Sequence, residues 1–268
     1  MFKKILLATA VAASASFATY NYFPVGSAHQ GQVDFVGVYV WNDDFSTLQF
    51  PVSVKFNIIN NLEVSVQKLG YVAWSELKDC EDLPVGCPDN DGFTGMTVGA
   101  RYQFMETRPF TPLLVSALDV HLPLSSEDVT SGYDPFGFYA AVQYIQIFSR
   151  EIILGSELGF DYLFEDEYTY MGVDQKKEEG LQMSLKAELD YSFSFGLTPW
   201  IGFEFNKKFT EDKINGEDNG GDDYQMDFRV GGSFKFTKMF MVKANYIYSI
   251  GDLDGDHQVV NGIFSVMF

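Results

Sequence analysis

Long apolar runs are missing from this sequence. Beyond residue 18 no stretch of about 18 apolar residues occurs, so the chain has no helix able to cross a bilayer. Positive charge is thin as well: 18 Lys and Arg stand against 37 Asp and Glu, a formal net charge of -19. Nothing in such a chain offsets phosphate repulsion, which excludes nucleic acid as a partner. Histidine occurs only at His29, His121 and His257, and none sits beside a serine or carboxylate in the pattern of the outer-membrane phospholipases. Cysteine is reduced to Cys80 and Cys87, a spacing that fits no zinc pattern. Asp252, Asp254 and Asp256, with Gly255, share the opening of a calcium loop but lack its distal bidentate Glu. That segment and the run Glu217 to Asp223 read as acidic hairpin tips, and no metal or cofactor is implied.

Aromatic residues are abundant instead, with 26 Phe and 15 Tyr in a chain that is 46% hydrophobic. A soluble protein would need a large core to hide them, whereas a membrane barrel turns them outward into lipid. The hydrophobic period is two almost throughout. From Tyr224 to Phe236 one face carries Tyr224, Met226, Phe228, Val230, Phe234 and Phe236, and the other Gln225, Asp227, Arg229, Ser233 and Lys235. Between Leu181 and Phe193, Leu181, Met183, Leu185, Leu189 and Tyr191 oppose Gln182, Ser184, Lys186, Glu188 and Asp190. These alternating runs exceed the usual soluble strand of about five or six residues. They match the roughly 9 to 11 residues of a tilted membrane strand.

Twelve such segments can be counted, near 32–40, 48–57, 62–74, 94–105, 111–121, 136–148, 152–164, 181–193, 198–209, 224–236, 239–250 and 258–268. Short connections alternate with long ones at 41–47, 75–93, 122–135, 165–180, 210–223 and 251–257. Those long connections hold 26 of the 37 Asp and Glu. Short turns on one side and long loops on the other describe a single antiparallel up-and-down transmembrane β-barrel of the outer membrane. An even count puts both termini in the periplasm; twelve strands are expected, with ten and fourteen the neighbouring counts. Segment 111–121 alternates poorly through Leu113, Leu114 and Val115, and a phase change around Gln67, Lys68 and Leu69 suggests a bulge.

Residues 1–18 form a separate unit. Lys3 and Lys4 precede the apolar stretch Ile5 to Phe17, and Ser16 and Ala18 suit a cleavage site, so a removed export signal is expected. Residues 19–31 are then a periplasmic lead-in, a segment in the lumen or an early start of the first strand, and 32–268 are the barrel. Export through an oxidising compartment makes a local Cys80–Cys87 disulfide the default, worth about 2 to 3 kcal/mol. The ending Phe264, Val266, Phe268, with a terminal aromatic, looks like the signature by which barrel proteins are handed to the assembly machinery.

If the apolar faces meet lipid, the polar faces meet the lumen. Seven positive residues (Lys55, Arg101, Lys186, Lys208, Arg229, Lys235, Lys243) and eight acidic ones (Glu63, Asp119, Glu157, Asp161, Glu188, Asp190, Glu204, Asp227) then nearly cancel there. Twelve strands at a tilt of about 40° give a backbone radius of roughly 12 Å. That leaves either a narrow wet path or a pillar of paired charges, and the path is the preferred reading. Arg101, Lys186, Glu188, Asp190, Glu204, Asp227, Arg229 and Lys243 are the candidates to set its selectivity. The alternative is a non-conducting barrel whose acidic loops bind lipopolysaccharide or another surface partner.

Three short motifs carry a family resemblance. Ile58-Ile59-Asn60-Asn61-Leu62-Glu63-Val64 resembles a turn–Asn–Leu-Glu unit, and Met96 to Phe104, with Gly99-Ala100-Arg101-Tyr102, resembles the strand after it. Val120-His121-Leu122-Pro123 is similar too, although the Thr-Gly expected next is Leu124-Ser125. Together they resemble an outer-membrane family described as transporters and by the MetA pathway of phenol degradation. That resemblance implies a barrel passing small, apolar or aromatic solutes.

Overall fold

The computed structural model describes residues 25–43, 45–77, 91–105, 112–126, 134–170, 173–210, 212–218, 223–253 and 255–268. The expected export signal, residues 19–24, and Cys80 and Cys87 lie outside the described residues. Twelve antiparallel strands follow in chain order. They are β1 (Gly31–Trp41), β2 (45–59), β3 (62–77), β4 (92–103), β5 (Pro112–Leu122) and β6 (Gly137–Ile147). The second half comprises β7 (Ile152–Leu163), β8 (Gly180–Tyr191), β9 (Leu197–Lys208), β10 (Tyr224–Lys235), β11 (Phe240–Gly251) and β12 (His257–Met267). Each pairs with its neighbours in sequence, and β12 pairs with β1 from Gln32↔Met267 to Trp41↔Gln258. Gly31 and Phe268 exchange backbone hydrogen bonds at the end of this seam. Closure pairs the barrel's first strand with its last, the condition for a sheet in hydrocarbon, where no water can satisfy a bare N–H or C=O.

The side-chain period does the sorting. Phe35 and Tyr39 face outward from β1, while Val36, Val38 and Val40 face inward and are buried. Large apolar residues dominate the outer surface, among them Leu118, Val142, Leu158, Leu185, Ile201, Phe228 and Val230. Rings cluster at the two rims. Phe234, Phe236, Phe240 and Phe264 stack in sequence near the short turns. Phe138, Tyr162 and Phe164 meet near the long loops. Two aromatic belts flanking an apolar band are what a bilayer selects on a barrel exterior.

The wall is irregular where β2, β3 and β4 run side by side. Pro51 interrupts β2, because proline cannot donate to a ladder. The register between β2 and β3 slips on either side of it, and Lys68 takes a φ of 64° as the extra residue of a bulge. Gly70 follows because a Cβ there would lie 2.8 Å from the Pro51 Cα. Buried positions accordingly switch from odd (Glu63) to even (Gly70, Val72), the phase change expected around Gln67 to Leu69.

Three stretches depart from what alternation predicts. Strand β2 begins at Phe45, so the first long connection is a tight turn, closed by Asn42 N donating to Phe45 O. The connections at 165–180 and 210–223 are not bare loops: they carry a four-stranded sheet of Asp166–Tyr170, Val173–Glu178, Lys213–Ile214 and Glu217–Asp218. Ion pairs from Lys176 to Glu165 and Glu167 and from Lys213 to Glu178 relieve the like-charge crowding that a run of acids would otherwise suffer. Segment 112–122 is a regular strand whose inward face starts apolar, with Leu113 and Val115 fully buried.

What buries them is the segment before β1. His29 N donates to Asn57 O and Asn57 N to Gln30 O, which turns residues 25–30 inward across the short-turn mouth. Val25 N then donates to Gln103 Oε1 (3.0 Å), and its side chain joins Leu113, Val115 and Ile145 in an apolar cluster inside the barrel.

Candidate functional site

The interior is organised around one transverse row of charged and polar side chains. In register order, Glu63 of β3 stands opposite Arg101 of β4, Gln143 of β6 opposite Glu157 of β7, and Glu157 opposite Lys186 of β8. Lys186 in turn faces Glu204 of β9, and Glu204 faces Asp227 of β10. Directly opposed side chains are the closest pairs a sheet offers, so the row bonds along its length. Arg101 is 3.2 Å from Glu63 and 2.8 Å from Gln143; Gln143 Nε2 donates to Glu157 at 2.6 Å; Lys186 is 3.1 Å from Glu157 and 3.8 Å from Glu204. Strand β5 contributes only Ala117 at this height, and that small side chain lets the Arg101 guanidinium reach across to Gln143.

Glu204 and Asp227 are like charges in the closest possible position. Arg229, two residues along β10, resolves the conflict by donating to both, at 2.9 Å in the case of Asp227. All of these groups are largely withdrawn from solvent. Burying charge costs several kcal/mol per ion unless it is paired and hydrogen-bonded, and the row supplies both. Tyr139 braces it, donating to Glu157 and lying under the Lys186 ammonium, 5.1 Å from the ring centroid. The ring has room because residue 159 is glycine: a Cβ there would overlap it. Gly159→Val should therefore expel Tyr139 and lower stability by about 1 to 3 kcal/mol, read as a shift in the urea midpoint of the refolded barrel.

This belt separates two cavities that, among the described residues, share no lining residue. The one towards the long loops has a volume of about 260 Å³ and includes Asp119, His121, Asp161 and Asn206. The one towards the short turns is about 650 Å³ and includes Lys55, Glu188, Asp190, Trp200, Lys235 and Lys243. The remaining wall, formed by β1, the start of β2, β11 and β12, carries an apolar cluster of Val36, Val38, Val40, Phe45, Ile247, Val259 and Ile263, interleaved on β11 and β12 with buried Asn245, Ser249, Asn261 and Ser265. Beyond the wide cavity's opposite neighbour, the loop carboxylate Asp134 ties two loops together, accepting from Ser125 N while its own N donates to Asp166. Burial pushes that carboxyl above its ordinary value, and the hydrogen bonds from Ser125 pull it back.

The eight expected selectivity residues thus fall into two groups. Arg101, Lys186, Glu204, Asp227 and Arg229 are brought together in the belt, whereas Glu188, Asp190 and Lys243 line the chamber at the short-turn end. Glu63 and Glu157, expected only as lumen charges, are full members of the belt. Gln143, Tyr139 and Trp200 were not foreseen; a polar or aromatic residue at an inward position of an alternating strand was the available signal. Phe264, Val266 and Phe268 lie on the outward face of the seam strand and its terminus, with Phe264 and Phe268 exposed.

Folding also gives His121 neighbours that its place in the sequence does not. Thr97 Oγ1 lies 3.0 Å from Nδ1, and Asp161 lies 3.4 Å from Nε2. The carboxylate side makes no hydrogen bond, and all three residues line the cavity towards the long loops. His257 is engaged with the Gly255 carbonyl at 2.9 Å. Among the described residues no group of three His, Cys, Asp or Glu is arranged to hold a metal ion.

A closed twelve-stranded barrel, apolar outside and charged within, has the architecture of the outer-membrane channels. The chain belongs to the family described as "Putative MetA-pathway of phenol degradation", whose sequence model spans residues 12–267. Among curated proteins none matches it. Among solved structures it is similar to an outer membrane channel from Pseudomonas putida F1, with a TM-score of 0.76 at 11% identity over 94% of this chain and 100% of that one. It is also similar to the NanC porin, with a TM-score of 0.56 at 10% identity over 87% of this chain and 98% of the porin. The TodX monoaromatic hydrocarbon channel gives 0.53 at 11% identity, covering 93% and 92%.

Proposed function

We propose that this protein is a passive channel of the bacterial outer membrane for small solutes, with its short turns and both termini in the periplasm. The observation that carries the reading is the interior itself: a polar lumen with cavities on both sides of a belt whose charges lie along the wall in register order. A barrel that served only as a scaffold would fill this space with side chains, as eight-stranded barrels do. The family assignment and the likeness in fold to outer-membrane channels support the same reading. On this proposal solutes pass by diffusion, without covalent chemistry or a cofactor. The apolar cluster opposite the belt favours solutes with an apolar or aromatic body. Phe264, Val266 and Phe268 serve recognition by the assembly machinery, and the acidic rim meets lipopolysaccharide.

The test is single-channel recording in planar bilayers. Discrete openings are expected, and Val25→Asp should raise their conductance, since a carboxylate cannot stay in the cluster of Leu113, Val115 and Ile145 and the segment 25–30 leaves the mouth. Purified protein that never opens, with or without that substitution, would sink the channel and leave the surface-binding barrel.

A further inference from the structure

The chamber at the short-turn end holds acceptors without donors. Glu188 Oε2, Asp190 Oδ2 and Asn57 Oδ1 are buried oxygens with no hydrogen-bond partner, and all three residues line this one cavity. Their residues are 4%, 2% and 6% exposed. A buried acceptor left without a donor costs free energy, more so when charged, and most native acceptors avoid that state. In the belt Glu63, Glu157 and Glu204 are ion-paired, whereas these chamber oxygens have no partner.

The surroundings specify what would fit. Asp190 stands opposite Trp200 in the β8–β9 register, and Glu188 opposite Gly202. A Cβ at Gly202 would lie 3.8 Å from Glu188 Oε2, so the carboxylate sits over a residue with no side chain. Trp200 packs over Gly231, where any Cβ would overlap the indole. Two carboxylates and an indole on adjacent strands form the combination that holds a cation: charge-assisted N–H donation to the oxygens and attraction to the ring face. Arg229, the nearest guanidinium, is committed to Glu204 and Asp227. Lys55, Lys235, Lys238 and Lys243 line the other walls of the chamber, while Glu188 Oε2 and Asp190 Oδ2 stay without a hydrogen-bond partner among the described residues.

From these observations we propose that the chamber contains a binding subsite for a small organic ammonium ion, its N–H groups on Glu188 and Asp190 and its apolar or aromatic body against Trp200. This deepens the channel reading by naming the solute class that the short-turn chamber retains. It rests on that reading only for its biological use, because binding is measured without transport.

The experiment is isothermal titration of the refolded full-length protein with benzylammonium at low salt, beside benzyl alcohol and benzoate. The expected result is saturable one-site binding of benzylammonium, at least about tenfold tighter than either comparison compound. The isosteric double variant Glu188→Gln/Asp190→Asn should weaken it about tenfold or more, and Trp200→Leu several-fold. Glu165→Gln/Glu167→Gln, outside the barrel, should leave it unchanged. Should the double variant fail to refold, the ranking of the three compounds on the unaltered protein still decides. Equal binding of benzyl alcohol would overturn the subsite, as would preference for benzoate (which would give the chamber to its lysines) or absence of saturable binding. A protein that conducts but does not bind benzylammonium refutes the subsite alone; one that binds it but never conducts refutes the channel alone.

Discussion

Arg229→Met should lower the stability of the refolded barrel by about 3 to 5 kcal/mol, the usual loss when one member of a buried ion pair is removed and its partner stays charged. The size of the effect follows from register. Glu204 and Asp227 occupy directly opposed positions on β9 and β10, and among the described residues only Arg229 bonds both. Without it two buried carboxylates face each other. Urea unfolding in detergent or lipid vesicles, followed by the heat-dependent gel mobility typical of barrels, reads the loss. A second measurement separates charge from shape: adding Glu204→Gln to Arg229→Met removes the repulsion and should restore part of the stability. A midpoint that does not move in the single variant would mean that the belt is wet and screened, contrary to the burial seen here.

One residue further along the same strand the sign of the argument reverses. Val230→Arg should cost about 2 to 4 kcal/mol in lipid vesicles, the range for a cation at the midplane of a barrel exterior. Val230 lies in the middle of β10 on the outer face and is 52% exposed to whatever surrounds the protein. Neighbouring positions would thus demand opposite chemistry, an arginine at 229 and its exclusion at 230. A Val230→Arg protein as stable in vesicles as the parent would show that this face does not meet hydrocarbon.

Most of the architecture was legible because one rule, alternation, governs most of the chain. It placed the twelve strands to within a few residues and sorted residues such as Phe228 from Arg229. The rule failed where something local competed with it. At Leu113 to Val115 three apolar residues in a row looked like broken alternation; the strand is regular, and its inner face is apolar because Val25 packs there. Around Pro51 the interruption could be suspected from the phase change, but the positive φ of Lys68 and the close approach of Gly70 to Pro51 needed coordinates. Inside the barrel, alternation told which charges point inward and not which ones meet. Pairing depends on register between strands distant in sequence, so the split of the eight candidates between belt and chamber was not readable, nor was the enclosure of His121 by Thr97 and Asp161.

The seam between β1 and β12 has a consequence for biogenesis. Its two partners are the barrel's first and last strands in chain order, so the cylinder cannot close before both exist, and every shorter intermediate carries two sticky margins. Joining chain ends so far apart is entropically late and slow. The polypeptide becomes a cylinder only once Phe268 meets Gly31.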